Sequence, residues 1–150
     1  MRIVIQRVSE AAVSVAGEEI SRIGRGLLVL VGVEDGDTEE DCRWLAAKTA
    51  ALRIFDDANG VMNRSAVDVG AEVLAVSQFT LTASTRRGNR PSYIRAAGHD
   101  LAVPLYELYK SEVSSAIGRP VPGGRFGADM AVSLVNDGPV TIIIDSRLRE

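Results

Sequence analysis

The stretch Leu-Leu-Val-Leu-Val-Gly-Val at residues 27–33 is a continuous apolar run that is rich in β-branched side chains. It is too short for a typical amphipathic helix, and it lacks the polar alternation of a half-exposed strand. The run therefore predicts a strand that is buried on both faces. A turn at residues 34–37 (Glu-Asp-Gly-Asp) separates it from the first helical pattern.

Further strands are expected on both sides of this run, at residues 1–8, 11–16, 19–23, 67–79, 130–135 and 140–144. The last two flank Asn136-Asp137-Gly138-Pro139. An Asp-Gly pair between two apolar segments is a strong signal for a hairpin turn. We therefore expect the last two strands to pair with each other.

Two segments have the apolar spacing of amphipathic helices. The first begins at an expected N-cap, Thr38, and carries acidic residues in its first turn, where negative charge suits the helix dipole. Its stripe is Cys42, Leu45, Ala46, Thr49 and Leu52. The second spans residues 100–117, with Pro104 near its first turn. Its stripe is Leu105, Leu108, Tyr109, Val113, Ala116 and Ile117. The pattern predicts one α+β domain over residues 1–150, in which two helices pack on a curved, mainly antiparallel β-sheet or barrel.

The composition argues against several classes of protein. One cysteine, Cys42, and one histidine, His99, leave no intramolecular disulfide and make a zinc site of cysteines and histidines improbable. No phosphate-binding glycine loop or metalloprotease motif is present, so we expect neither a cofactor nor a metal. No apolar segment is long enough to cross a membrane, and the start of the chain does not resemble a signal peptide. These features predict a cytoplasmic protein.

One window of positive charge contrasts with the net charge of −3. No acidic residue lies between Glu72 and Asp100. The arginines inside this window are Arg86, Arg87, Arg90 and Arg95. They form either a cationic patch or the solvated surface of an ordinary loop, and the sequence leaves both interpretations open.

Conventional hydrolytic machinery is absent, because His99 is the only histidine and no nucleophile elbow accompanies it. The segment Ser77-Gln78-Phe79-Thr80-Leu81 nevertheless follows a predicted buried strand directly. Polar groups at such a strand end are held by a rigid scaffold and can line a small pocket. Alternatively, Gln78 and Thr80 face the solvent while Phe79 enters the core.

Gly138-Pro139 is the second candidate element. Most bonds that precede a proline are trans, so a plain hairpin turn is the simplest expectation. A cis bond would instead point two neighbouring carbonyl groups in the same direction. Such a pair of acceptors would suit an ammonium group.

These two segments, with others in the same order, resemble the D-aminoacyl-tRNA deacylase family over essentially the whole chain. The other matching segments lie at residues 5–8, 26–30, 37–41, 52–55, 90–92 and 124–130. Tyr93 and the pair His99-Asp100 depart from the residues that are usual in the family. Both departures lie outside the two main motifs.

The resemblance implies a homodimer with its active sites at the subunit interface. Gly138 and Pro139 match an element that enters the partner's site, holds the substrate's α-amino group and excludes L side chains. Arg7 matches the residue that orients this element, and Met130 matches one beside the terminal adenosine of tRNA. The opposite wall of the site would consist of Ser77, Gln78, Phe79 and Thr80.

The implied reaction is hydrolysis of D-aminoacyl-tRNA, and also of glycyl-tRNA. The terminal 2′-hydroxyl of the tRNA would help to activate water, while backbone N–H groups near Phe79 and Thr80 stabilise the oxyanion. Thr80 has no clear general base in the sequence, so we do not expect it to act as a nucleophile. From charge alone, the four arginines are expected to meet phosphates of the acceptor stem.

Two other functions remain open from the residues themselves. A module that binds aminoacyl ends without turnover would keep the pocket and lack catalytic residues. A structural RNA-binding protein would use the arginine window, although aromatic residues make up only 5% of the chain and stacking platforms need them.

Overall fold

The computed structural model describes residues 1–150, and its sheet is organised around the first strand. The strands are β1 (Arg2–Val15), β2 (Glu18–Ile23), β3 (Gly26–Gly32), β4 (Phe55–Asp56), β5 (Met62–Arg64), β6 (Glu72–Ser77) and β7 (Ala131–Asp145). One edge of β1 pairs with β7, and the other edge pairs with β3 and then β2, always antiparallel. β6 extends the sheet as a parallel neighbour of β3. β4 and β5 form a separate hairpin.

Three helices and one short 3₁₀ helix accompany the sheet. They are α1 (Glu39–Ala51), α2 (Ala66–Val69), the 3₁₀ helix (Phe79–Thr82, called the site turn below) and α3 (His99–Ile117). The helices α1 and α3 pack together over a core shared with β1, β3 and β6. In this interface the hydroxyls of Thr49 and Tyr109 are 2.7 Å apart, and burial raises the pKa of Tyr109. The predicted α+β class and both long helices are confirmed.

The start of α1 follows from its sequence. The side chain of Thr38 accepts a hydrogen bond from the Asp41 backbone N–H, and the Asp41 carboxylate accepts one from the Thr38 N–H. This reciprocal pair satisfies two donors that a helix start otherwise leaves free. In α3, Pro104 lies in the second turn, close to the first as expected. Ala116 is exposed rather than part of the buried stripe.

Several strand predictions were wrong in their boundaries. The two strands predicted at residues 1–8 and 11–16 are one strand, β1, which spans Arg2–Val15. Residues 67–79 are divided among α2, β6 and the start of the site turn. Local signals explain this division, because Ser65 caps α2 and Gly70 ends it with a φ of 63°. The β4–β5 hairpin was missed, since its strands are too short to show an alternating pattern.

The expected C-terminal hairpin does not form. β7 is one continuous strand, and both of its halves pair with β1, from Ser14↔Ala131 to Arg2↔Asp145. The pairing jumps from Val8↔Asn136 to Gln6↔Thr141, so residues 137–140 form a bulging loop opposite Arg7 alone. β1 is long enough to pair with both halves of β7. The sequence of a local turn does not show which distant strand will pair with its flanks.

No helix has the length and apolar character that crossing a membrane would require.

Candidate active site

A cavity of about 570 Å³ opens beside the end of β6. Ser77, Gln78 and Phe79 line one side of it, and Met130 and Phe126 line another. The volume lies in the range of small-molecule sites, and the walls are mostly apolar. Such a cavity suits a small organic group that makes few polar contacts.

Close backbone packing shapes the wall of this cavity. A Cβ atom at Gly124 would overlap the sulfur of Met130, so glycine leaves the space that the methionine side chain needs. Phe126 packs near Tyr106 and edge-on to His99, with ring centroids 6.0 and 5.1 Å away. Burial raises the pKa of Tyr106, whose hydroxyl donates to the Ala75 carbonyl at 2.7 Å. The protonated phenol therefore fixes this wall to β6.

The site turn presents Phe79 to the surface. Its side chain is 57% exposed and lies edge-on to Tyr93 at 5.1 Å, so the alternative in which Phe79 enters the core is wrong. Gln78 and Thr80 are half-buried, and the Gln78 amide donates to the Thr80 hydroxyl at 2.6 Å. No histidine or carboxylate bonds to this hydroxyl. Thr80 therefore has no base that would make it a nucleophile.

The backbone of the site turn offers hydrogen-bond donors. The first N–H groups of any helical segment lack partners within it, and here these belong to Phe79 and Thr80. The preceding residue, Gln78, makes no side-chain cap to them. Two adjacent donors beside a cavity can bind an oxygen that gains negative charge.

Thr80 and Leu81 also line a second cavity, of about 740 Å³, on the other side of the site turn. Its other walls include Trp44, Ile143 and Leu148. Ile143 and Leu148 are exposed apolar side chains. Of the four predicted residues, Ser77, Gln78 and Phe79 thus line the first cavity, whereas Thr80 lines the second.

The Gly138-Pro139 segment forms the tip of the bulging loop in β7 (residues 137–140, called the Gly-Pro loop below). Both residues are exposed, and the bond between them is cis. Gly138 has a φ of 138°, and a Cβ there would lie 2.8 Å from the Val140 side chain and 3.2 Å from the Arg7 guanidinium. Only glycine fits this backbone without strain.

Arg7 and Asn136 hold the base of the Gly-Pro loop. The Arg7 guanidinium donates to the carbonyls of Asp137 at 2.9 Å and Ile54 at 2.7 Å. The Asn136 side chain accepts from the Val140 N–H at 2.8 Å and donates to the Thr141 hydroxyl at 3.0 Å. The loop is therefore tied at both ends while its tip stays free.

The Gly-Pro loop and the site turn do not meet within one chain. Arg2 donates to the Leu81 carbonyl at 2.9 Å, while Arg7 donates to the Asp137 carbonyl. Arg2 and Arg7 are five positions apart on β1, which at ~3.4 Å per residue separates them by about 17 Å. Neither cavity is lined by Gly138, Pro139 or Arg7.

Similarity to known proteins identifies the family of this chain. The model of the D-Tyr-tRNA(Tyr) deacylase family matches residues 4–145. The chain belongs to this family. The resemblance found in the sequence is thereby confirmed.

Two relatives of the deacylase family are similar over their full lengths. A protein of Akkermansia muciniphila is 62% identical and one of Parabacteroides distasonis is 59% identical, both over 150 residues and all of each chain. Both are named D-aminoacyl-tRNA deacylase. Among solved structures, a c-Myc DNA unwinding element binding protein has a TM-score of 0.90 at 38% identity, covering 97% of this chain and 98% of its own. A probable eukaryotic D-amino acid tRNA deacylase, at 19% identity, shares the fold with a TM-score of 0.82 over 95% of this chain and 97% of its own.

The four arginines of the positive window occupy two different environments in this deacylase-family chain. Arg86, Arg87 and Arg90 are exposed on a loop (residues 85–91, called the arginine loop below), which Ser84 and Ser92 close with two backbone hydrogen bonds. None of the three has an acidic partner within 4.0 Å. Arg95 differs, because its guanidinium donates to the Thr82 carbonyl at 3.2 Å and lies 3.5 Å from the Glu34 carboxylate.

Sequence reasoning missed several residues of this site. Asn136 was assigned to a turn, although asparagine commonly bonds to backbone groups a few positions away. His99 and Phe126 lie far from residues 77–80 in the chain, and no sequence spacing joins them to the cavity. No group of three or more histidine, cysteine, aspartate or glutamate side chains is arranged to hold a metal ion.

Proposed function

We propose that this protein hydrolyses the ester bond of D-aminoacyl-tRNA, releasing free tRNA and the D-amino acid, and that it rejects L-aminoacyl-tRNA. Membership of the deacylase family and the names of the relatives support this activity. The observation that carries it is the Gly-Pro loop, which is tied at its base by Arg7 and Asn136 and whose tip, Gly138-Pro139, is exposed. We infer that the same site also accepts glycyl-tRNA.

The complete site takes its parts from two copies of the chain. Within one chain the Gly-Pro loop is tied to Arg7 and the site turn to Arg2, and these two positions on β1 are about 17 Å apart. Neither cavity beside the site turn is lined by the Gly-Pro loop. Apolar side chains exposed on one copy, including Phe79, Val135 and Ile143, provide surface that a second copy would bury. The protein therefore acts as a homodimer, in which each Gly-Pro loop faces the partner's site turn.

Selection against L substrates follows from this arrangement. The carbonyls of Gly138 and Pro139 accept hydrogen bonds from the substrate's α-ammonium group and thereby fix the α-carbon. The α-carbon carries four substituents. When its ammonium and ester groups are held in place, the side chain and the hydrogen occupy the other two positions, and only one of these positions has room for a side chain. An L side chain points into the protein wall, whereas a D side chain or a hydrogen points outwards, so exclusion gives the selectivity.

The chemistry needs positioning more than it needs acid or base side chains, because an aminoacyl ester is already activated. The terminal adenosine occupies the cavity beside Met130, and its 2′-hydroxyl helps to activate a water molecule. The water oxygen attacks the ester carbonyl, and the N–H groups of Phe79 and Thr80 stabilise the oxyanion. Collapse of this intermediate breaks the bond to the 3′-oxygen, which leaves as the tRNA hydroxyl after gaining a proton.

The arginine loop would contact the phosphates of the acceptor stem. Three exposed guanidinium groups without acidic partners are available for phosphate binding, and this contact orients the tRNA without reading its sequence. Arg95 was included in this prediction, but its ion pair with Glu34 makes it less available. Because charged tRNA is made in the cytoplasm, we propose that the protein acts there.

The first test is hydrolysis of D-Tyr-tRNA and L-Tyr-tRNA by purified protein in the presence of a chelator. We expect rapid loss of the D ester only. Binding of both esters without hydrolysis would favour a module that captures aminoacyl ends. Because one solved relative is described as a DNA-element binding protein, duplex DNA serves as a competitor, and inhibition equal to that by tRNA would count against a tRNA-specific site.

A further inference from the structure

Arg95 is the only arginine of the positive window that contacts the site turn. Its guanidinium donates to the carbonyl of Thr82, the last residue of that turn, at 3.2 Å. Thr82 itself is fully buried, and its hydroxyl donates to the Phe79 carbonyl at 2.8 Å. This side-chain hydrogen bond joins the two ends of the site turn, so a shift of Thr82 would also shift Phe79.

The backbone around Arg95 is fixed to the residues that follow β3. The Asp35 N–H donates to the Arg95 carbonyl at 3.0 Å, and the Ala97 N–H donates to the Val33 carbonyl at 3.0 Å. Glu34 pairs with Ala96 in the antiparallel bridge between these segments. The Arg95 side chain thus starts from an anchored position, unlike the side chains on the arginine loop.

Glu34 adds a reason for the guanidinium to stay in place. Its side chain is only 11% exposed, and its Oε1 atom is buried without a hydrogen bond. A buried carboxylate needs a nearby cation to offset its lost hydration. Arg95 lies 3.5 Å from one oxygen and Arg147 lies 3.8 Å from the other. Arg147 is directed to Asp37, at 2.8 Å, and it makes no contact with the site turn.

We propose that Arg95 is a positioning residue for hydrolysis, which holds the site turn through the Thr82 carbonyl while Glu34 holds Arg95. The inference rests on the proposed function, since it assumes that the N–H groups of Phe79 and Thr80 act on the substrate. In this arrangement Arg95 does not bind tRNA phosphates, and only the arginines of the arginine loop do so. An end carbonyl of a helical segment lacks an internal partner, and the guanidinium supplies one.

The test compares Arg95→Ala with two matched controls. Arg43→Ala removes an arginine of similar exposure, 52% against 50%, which also has acidic partners but lies on α1 away from the site. Arg86→Ala removes a charge from the arginine loop. For Arg95→Ala we expect kcat to fall by about 10-fold with KM within about 2-fold, because misplacing reacting groups affects the chemical step. Arg43→Ala should keep both values.

Salt titration of tRNA binding separates positioning from phosphate contact. The slope of log affinity against log salt should be unchanged in Arg95→Ala and should fall by about one in Arg86→Ala. Arg95→Lys should restore part of kcat, since lysine can donate to one carbonyl but lacks the second arm of the guanidinium. A shallower slope in Arg95→Ala, with kcat unchanged, would overturn the proposal.

An activity-independent measurement separates this proposal from the proposed function. The amides of Leu81 and Ala83 donate to the carbonyls of Gln78 and Thr80, so their hydrogen exchange reports on the site turn. We expect faster exchange at both amides in Arg95→Ala and in Glu34→Gln, and wild-type exchange in Arg43→Ala and Arg86→Ala. If exchange is faster in Arg95→Ala but the wild-type protein hydrolyses no D ester, the deacylase activity alone is rejected. Unchanged exchange in Arg95→Ala would reject the role of Arg95, whatever the activity.

Discussion

The site turn and the Gly-Pro loop are both short irregular segments, but they are supported in opposite ways. The site turn follows the buried strand β6, lies between two cavities and contacts several parts of its own chain. The Gly-Pro loop projects from the edge strand β7, and only its base is tied, through Arg7 and Asn136. This difference agrees with the proposed function, in which the turn receives the substrate and the loop is presented to a second copy of the chain.

The largest effect is expected from Gly138→Ala, which changes the tip of the loop. The φ of 138° is unfavourable for alanine, and the added Cβ would lie 2.8 Å from Val140. We expect kcat/KM for D-Tyr-tRNA to fall by roughly 100-fold, because the carbonyls that hold the ammonium group move. The melting temperature should fall only modestly, because an exposed loop can relieve part of this backbone strain by a local shift. Activity within 2-fold of wild type would show that the loop is not part of the site.

A smaller effect is expected from Arg7→Lys, which changes the base of the loop. Lysine keeps the charge but cannot donate to the Asp137 and Ile54 carbonyls in the fixed fork geometry of arginine. We expect kcat/KM to fall by about 10-fold and D/L discrimination to weaken, as the loop gains freedom. The free energy of unfolding should fall by about 1–3 kcal/mol, because the buried Ile54 carbonyl loses its hydrogen-bond donor. Loss of stability with unchanged discrimination would make Arg7 a purely structural residue.

The smallest effect is expected from Thr80→Ala, which changes a side chain of the turn and leaves its backbone in place. The hydroxyl has no base beside it and bonds only to the Gln78 amide. We expect kcat to stay within about 5-fold of wild type, because the N–H groups and not the hydroxyl act on the ester. Single-turnover kinetics and mass spectrometry give the measurement, and an acyl group trapped on Thr80 would contradict this account.

The sequence predicted the elements whose signals are local. Thr38 and the acidic residues after it define the start of α1. The apolar run at residues 27–33 became most of β3, whose residues are buried except for the half-buried Leu30. The course of β7 could not be predicted in this way, because Asp137-Gly138 has the composition of a hairpin turn. β7 continues past this turn-like sequence because β1 is long enough to pair with both of its halves.

The candidate site was predictable to the same extent. Residues 77–80 were found because polar groups follow a buried strand, and the family resemblance singled out Gly138, Pro139, Arg7 and Met130. Nothing in the sequence distinguishes Arg95 from Arg86, since both lie in a window without acidic residues. The difference depends on Glu34, which is more than fifty positions away and reaches Arg95 only in the folded chain.

Complementation between two inactive variants tests most directly whether one site combines the turn of one copy with the loop of another. Phe79→Pro removes an N–H donor and the exposed ring from the turn, and Gly138→Ala disturbs the loop. A heterodimer of the two would contain one site with both changes and one site with neither. Co-expressed with different tags and purified, it should recover about half of the wild-type activity towards D-Tyr-tRNA, because one of its two symmetric sites is intact. A heterodimer as inactive as its parents would contradict the shared site and place the turn and the loop of one chain in the same site.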